Sequence, residues 1–293
     1  MLFKGIKAKL VDVFARGKLT GNGLTVFWEC GDLSTDQMLA LTREMRQFES
    51  IFLLDGPGNE EYQARIFTME EELSFAGHPL IGLAAHLHQE YGPQENGIPE
   101  EQEWRIRLAS RTVRLVSVNK GGHYSAAMDQ GPPEFLGTIG PADRKEYLAA
   151  LNLTEEDAAG LDMEVISTGL PYLIVPVARN LDKARITIPH FEELLARHCA
   201  KFVYVLDVET REGRTWDNAG MVEDIATGSA AGPAAAYLHK AGLVPANRPF
   251  HLEQGRMTGR PSRMEVVVES DGDAVRNIRV SGDVFVVATI DFA

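Results

Sequence analysis

The stretches AGHPLIGLAA at residues 76–85 and ATGSAAGPAA at residues 226–235 decide how this chain is read. Each passes from a small-residue turn through a glycine into a run that reads as an Ala-rich helix. Other segments keep the same order around them. ESIFLLD at 49–55 resembles KFVYVLD at 201–207, and RIFT at 65–68 resembles RTWD at 214–217. A self-similarity with a period near 150 residues means a duplicated domain rather than a solenoid. Alanines such as Ala234, Ala235 and Ala236 add little area each, but they let strands come close to the helix backbone. Such a helix suits the centre of a strongly curved sheet. The expected fold is therefore α+β: two pseudo-symmetric lobes, each a curved, largely antiparallel sheet or barrel around a central helix.

Outward from the two turns, alternation and β-branched or aromatic content place strands at KAKLVDVFA, ESIFLLD, YQARIFT, 104–128, LIVPVA and FVYVLD, with two or three more in the last forty residues. LTVFWE reads as a strand or as a helix start. Ser34 and Gln37 resemble a capping box opening a helix to about Gln47. Further helices are expected over Pro79–Tyr91, 142–150, 155–159, Pro189–His198 and Ser229–Ala241, with Gly92 and Gly242 closing the two Ala-rich ones. The polar segment 93–103 reads as a loop. Gly131-Pro132-Pro133, Gly137, Gly140 and Pro141 mark a change of domain or a long surface crossing. The expected division is 1–129, 130–278 and a terminal strand, 279–293, returning to the first lobe.

Composition bounds the function. With 293 residues, 44% hydrophobic and 24% charged, the chain reads as globular. Twenty-nine basic against 42 acidic residues give a net charge of −13, which repels nucleic acid on average. Arg105, Arg107, Arg111 and Arg114 read as solvated strand positions. No run of 18 apolar residues predicts a membrane span, and MLFKGIKAKL lacks a signal-peptide core, so a cytoplasmic setting is expected. Two cysteines, Cys30 and Cys199, exclude a disulfide scaffold and read as buried structural thiols. No phosphate loop, dinucleotide fingerprint, G-x-S-x-G elbow or H-E-x-x-H occurs, and His86 and His88 diverge on a helix. No cofactor and no metal are expected.

The chemistry is expected at the two turns. Free amides in a helix's first turn, reinforced by its dipole, form an anion site. Pro79 fits the first turn of the first helix, with His78 near its cap. Two such N-termini facing one cleft would hold a carboxylate and a developing enolate, or they serve as structural caps. Asp224 would orient His78, meet a polar substrate group, or cap its helix. Glu70, Glu71 and Glu72 read as a solvated face. Glu49 stands between a helix end and the apolar IFLL, where partial desolvation suits a group that takes and returns a proton.

Across nearly its whole length the chain resembles the PhzF-like family, within the diaminopimelate epimerase-like fold. The resemblance rests on VDVFARGKLTGNGLTVF at 11–27, REMRQFESIFL at 43–53, RIFTMEEELSFAGHPLIGLAAHL at 65–87, STGLPYLIVPV at 167–177, EDIATGSAAGPAAAYL at 223–238 and the Q-G-x-x-x-G-R pattern in 253–266. Gly23 and Ile225 stand where the family usually has proline. The resemblance implies Glu49 as general acid/base, assisted by His78 and Asp224. It implies substrate binding by Gly77, Gly228 and Ser229. Ala76 and Ala226 stand where related amino-acid epimerases carry their cysteines. The implied activity is a cofactor-independent isomerase that moves a proton between carbons of a small unsaturated or keto-enol carboxylic acid, and the implied assembly is a homodimer. The alternatives are an epimerase with bases from both lobes and a non-catalytic small-acid binding protein.

Overall fold

Residues 77–88, which carry the first glycine-led pattern, are buried on every side, as expected of a helix enclosed by strands rather than laid on a surface. The computed structural model describes residues 5–56, 58–92, 101–272 and 274–292. The chain divides into two units, Met1–Met128 with Ser281–Ala293, and Asp129–Val280. The first half contains β1 (Lys7–Val13), β2 (Asn22–Trp28), α1 (Thr35–Met45), β3 (Glu49–Leu53), β4 (Tyr62–Phe67), β5 (Glu72–Leu73), α2 (Gly77–Tyr91), β6 (Glu101–Arg107), β7 (Thr112–Asn119) and β8 (Tyr124–Asp129). The second contains β9 (Glu134–Thr138), α3 (Pro141–Ala150), β10 (Glu164–Ser167), β11 (Pro171–Val177), a 3₁₀ turn (Leu181–Lys183), α4 (Phe191–Ala196), β12 (Phe202–Asp207), β13 (Glu212–Arg214), α5 (Gly228–Lys240), β14 (Phe250–Gln254), β15 (Ser262–Asp271) and β16 (Ala274–Asp291).

In the first unit the strands run β1-β2-β3-β4-β6-β7-β8, and β16 is bonded to both β8 and β1, which closes the ring. Two pairs, β2/β3 and β4/β6, are parallel. They have to be, because α1 and α2 carry the chain across between them. The second unit repeats this scheme. Its order is β9-β10-β11-β12-β13-β14-β15-β16, with β11/β12 and β13/β14 parallel, bridged by α4 and α5. The matching pair ESIFLLD/KFVYVLD falls on β3/β12. RIFT lies at the end of β4, whereas RTWD starts at the last residue of β13 and runs past it through an isolated bridge at Trp216.

Strands can close on a helix only where its side chains leave room. A Cβ on Gly82 of α2 would sit 2.3 Å from Leu24 Cδ2 and 3.2 Å from Val13 Cγ2. In α5, residues 230–238 are all buried, six of them alanine or glycine. Alternation turns the other faces of the strands outward. In the first unit Phe27 and Phe52 stack at 4.4 Å and pack with Phe67 against Met38 and Leu41 of α1. In the second, Tyr147, Leu148, Phe191, Leu194 and Leu195 of α3 and α4 cover Val165, Val175 and Val205.

Several local expectations change. LTVFWE lies in a strand. The capping box on α1 forms, but that helix stops at Met45, with Arg46 left-handed. Helix α2 starts at Gly77 rather than Pro79, and α5 at Gly228 rather than Ser229. Residues 155–159 form a turn and an isolated bridge, held by Asp157 bonds to Thr154, instead of a helix. Pro189 precedes α4, which begins after the left-handed His190 and ends at Ala196. The Gly/Pro segment 130–145 holds β9, paired with β10, and the start of α3, so it is not a plain surface crossing. Of the expected loop 93–103, residues 93–100 lie outside the described residues and 101–103 open β6. Cys30 is buried, whereas Cys199 is exposed in a tight turn with positive φ, against the expectation of a buried thiol. Among the described residues no helix is long and apolar enough to cross a membrane.

Two tests follow from the packing. A Cβ on Gly213 would meet Tyr204 Cζ at 2.0 Å, and that ring is fully buried. Gly213→Ala should lower the urea midpoint at unchanged slope, by about 1–3 kcal/mol of stability. His86 is buried against Trp28, and neither ring nitrogen has a protein partner. Burial, with a smaller contribution from Lys9, pushes its pKa down to about 3 from 6.5. Below pH 6.5 the unfolded chain takes up a proton that the folded chain refuses until about pH 3. Stability from neutral His86 is therefore complete above pH 6.5 and declines toward pH 3, by up to about 1.4 kcal/mol per pH unit. His86→Phe should remove this slope, measured by urea unfolding at about pH 7, 6 and 5.

Candidate active site

Glu49 is the first residue of β3, set beside Leu24 by the parallel pairing of β2 and β3. His78 is the second residue of α2. The two side chains meet: His78 Nδ1 lies 2.9 Å from Glu49 Oε2, with side-chain exposures of 6% and 10%. When Nδ1 donates to the carboxylate, the neutral ring presents Nε2 as an acceptor. That Nε2 is buried and has no protein partner. Glu49 is thus oriented by a histidine whose other nitrogen is available to a ligand. The sequence placed both residues near chemistry but did not pair them with each other.

The helix that carries His78 begins without a side-chain cap. Its N-cap residue is Ala76, among the poorest choices for that position. Helix α5 also lacks a side-chain cap, although its N-cap is Thr227. By contrast α1, away from these turns, has a complete Ser34/Gln37 box at 3.3 and 2.8 Å. A missing cap forgoes about 1 kcal/mol and leaves first-turn amides to be satisfied by something else. Gly77 and Gly228 are the first residues of the two helices.

Glu49, Gly77 and His78 belong to the first unit, and Asp224, Gly228 and Ser229 to the second. In the second unit Ser229 Oγ lies 2.8 Å from the Tyr172 hydroxyl, and Gln130 Nε2 donates to the Gly228 carbonyl at 2.7 Å. Asp224 Oδ2 accepts from Thr227 Oγ1 at 2.6 Å, so its carboxylate is held by the turn and does not cap α5. Glu223 forms a two-pronged ion pair with Arg214 at 2.8 and 2.6 Å. Arg214 also donates to the carbonyls of Leu181, Asp182 and Ala184 and lies over Trp216. This buried guanidinium anchors the segment leading to Asp224. Arg214, Tyr172 and Gln130 were not singled out from sequence. Nothing in an isolated strand arginine or tyrosine signals that its partner lies in a distant turn.

Neither cysteine belongs to these groups. Cys30 Sγ is 3.2 Å from the Leu53 carbonyl, and burial pushes its thiol up to about 12. A thiol so protonated is a packing group. Ala76 is buried at the N-cap of α2, and Ala226 is buried one residue before the N-cap of α5. Glu72 pairs with Arg65, in keeping with a solvated acidic face before the first turn.

Comparison with known proteins identifies the family. The chain is 33% identical over 284 residues to the trans-2,3-dihydro-3-hydroxyanthranilate isomerase of Pseudomonas aeruginosa, covering 94% of both chains. A solved structure of a predicted epimerase from Pseudomonas aeruginosa is 48% identical, covers 98% of each chain and superposes with a TM-score of 0.88. A probable proline racemase from Agrobacterium radiobacter, at 14% identity and TM-score 0.62, covers 98% of this chain and 93% of its own, and shares the fold. The protein is an isomerase-class enzyme. Residues 11–289 match the phenazine biosynthesis-like family model, and with the extended identity to its isomerases the chain belongs to the PhzC-PhzF family.

Proposed function

We propose that this enzyme moves a proton between two carbons of a small unsaturated or keto-enol carboxylic acid, with Glu49 as the single general acid/base. The observation that carries the proposal is the buried Glu49–His78 contact at 2.9 Å with His78 Nε2 unpartnered. A carboxylate held in one rotamer and shielded from water can take a proton from one carbon and return it to another on the same face of a substrate that stays in place. The C–H electron pair delocalises into the unsaturated system as a bond to hydrogen breaks. It forms a new bond to hydrogen at the receiving carbon. One proton leaves and one arrives, so no electrons are exchanged with a cofactor. His78 assists through hydrogen bonds to Glu49 and to the substrate. The uncapped amides that open with Gly77 and Gly228, and the Ser229 hydroxyl, are assigned to the substrate's carboxylate and developing negative charge. Asp224 is assigned to the second polar group or the second proton.

The relative's name supplies a first candidate, trans-2,3-dihydro-3-hydroxyanthranilate, a partly reduced ring acid. Incubation of this and related unsaturated acids in heavy water, followed by NMR, should show a migrated double bond with label at the receiving carbon. Label at one carbon with inversion there would instead make the enzyme an epimerase. Binding with neither label nor product would make it a binding protein.

Glu49→Gln should keep the fold and ligand binding while lowering kcat at least about 100-fold, the scale of positioned acid–base catalysis. Full activity in that variant would remove Glu49 from the mechanism. The proposal includes the homodimer typical of the family. Light scattering of the purified protein should return twice the chain mass of 32.3 kDa.

A further inference from the structure

Thr227 stands at the N-cap of α5, yet its hydroxyl does not cap the helix. It is drawn into a different circuit. Gln254 Nε2 lies 3.0 Å from Thr227 Oγ1. An amide nitrogen only donates, so Oγ1 accepts there, and its one hydrogen is directed to Asp224 Oδ2 at 2.6 Å. The second Nε2 hydrogen goes to the Asp224 main-chain carbonyl at 2.8 Å. On its other side, Gln254 Oε1 accepts the Thr227 N–H and the Tyr204 hydroxyl, each at 3.2 Å. A flipped amide would set its oxygen against the Asp224 carbonyl oxygen, so the network itself fixes the orientation. Gln254 is 1% exposed, and its polar atoms have no access to water as a substitute.

The same circuit gives the Q-G-x-x-x-G-R pattern a physical meaning. Gly255 has φ +80°, and a Cβ there would lie 2.4 Å from the Arg260 carbonyl oxygen and 2.6 Å from that of Ile225. The glycine lets the end of β14 press against the backbone of the Asp224 turn, which brings the preceding glutamine into reach.

We infer that Gln254 and Thr227 form a relay of directed hydrogen bonds that aims the Asp224 carboxylate, making both of them positioning residues of this enzyme. The inference rests on Asp224 acting in the proposed reaction. Thr227 forgoes helix capping for this task, and Gln254 removes the alternative orientation of its hydroxyl.

The test uses the 293-residue enzyme with trans-2,3-dihydro-3-hydroxyanthranilate as the probe, and crystal structures of the variants. Thr227→Val keeps the side-chain shape and removes the hydroxyl. It should lower kcat about 10- to 100-fold, the range expected for a hydrogen bond to a charged group, with little change in KM. Thr227→Ser should return to within about threefold of the wild type by restoring the donor. Gln254→Met should lower kcat similarly, and the double variant T227V/Q254M should be no worse than T227V within about threefold, because the two act as one unit. In the T227V crystal structure the Asp224 carboxylate should leave its present rotamer. An unmoved Asp224 in that structure overturns the relay whatever the activity, and so does failure of Thr227→Ser to rescue. Asp224→Asn separates the two levels. If it is fully active, the reading of Asp224 fails. If it is impaired while T227V is fully active, the relay alone fails. Should Gln254→Met not fold, the Thr227 pair and its crystal structure still decide.

Discussion

The close approach of strands to small residues of the enclosed helices is the constraint on which the structure depends. At Gly82 a single methyl group would overlap Leu24 and crowd Val13. Because that methyl is absent, β1 and β2 lie against α2, and the first unit closes as a ring of strands around it. The ring sets the place where α2 begins. Parallel pairing of β2 with β3 sets the place where Glu49 emerges. The contact between Glu49 and His78 is the product of those two placements, and packing rather than a local turn holds it.

Enclosure also explains why the turns are left chemically incomplete. A surface helix is readily capped by its own sequence, and α1 is. Helices α2 and α5 begin at Ala76 and Thr227 with no side-chain cap, and His78 keeps a buried nitrogen unpaired. Each omission lowers stability by about 1–3 kcal/mol. Stability of this kind is commonly surrendered where a ligand completes the hydrogen bonding. The rest of the fold offsets it through cores such as the Phe27–Phe52 stack and the α3–α4 cover of the second unit.

The two units solve the support of their turns differently. In the first, a charged neighbour, Glu49, meets the helix start directly. In the second, neutral groups do much of the work: Tyr204, Gln254 and Thr227 surround Asp224, and the Arg214–Glu223 pair secures the segment just before it. A buried arginine with a bidentate carboxylate and carbonyl partners has an acceptor at every guanidinium nitrogen, a condition that makes burying its charge tolerable.

Much of this was legible in the sequence because it is local. The duplicated order of strand pair, small-residue turn and Ala-rich helix is a matter of neighbours along the chain, and so is the Ser34–Gln37 box. The glycine-led turns and their candidates Glu49, His78, Asp224 and Ser229 could be named for the same reason. Helix ends were less legible: Pro189 looks like a first-turn residue, but the left-handed His190 delays α4, and a strand pairing claimed the Gly/Pro-rich segment near β9. Tertiary structure alone decided which groups touch. Glu49 and His78 are far apart in the chain, as are Thr227 and Gln254, and hydrogen bonds at 2.9 and 3.0 Å depend on strand pairing and packing within each unit. The sequence by itself determined which chemical groups the turns carry; only the folded sheets, through packing that no local pattern encodes, decided which of them share a hydrogen bond.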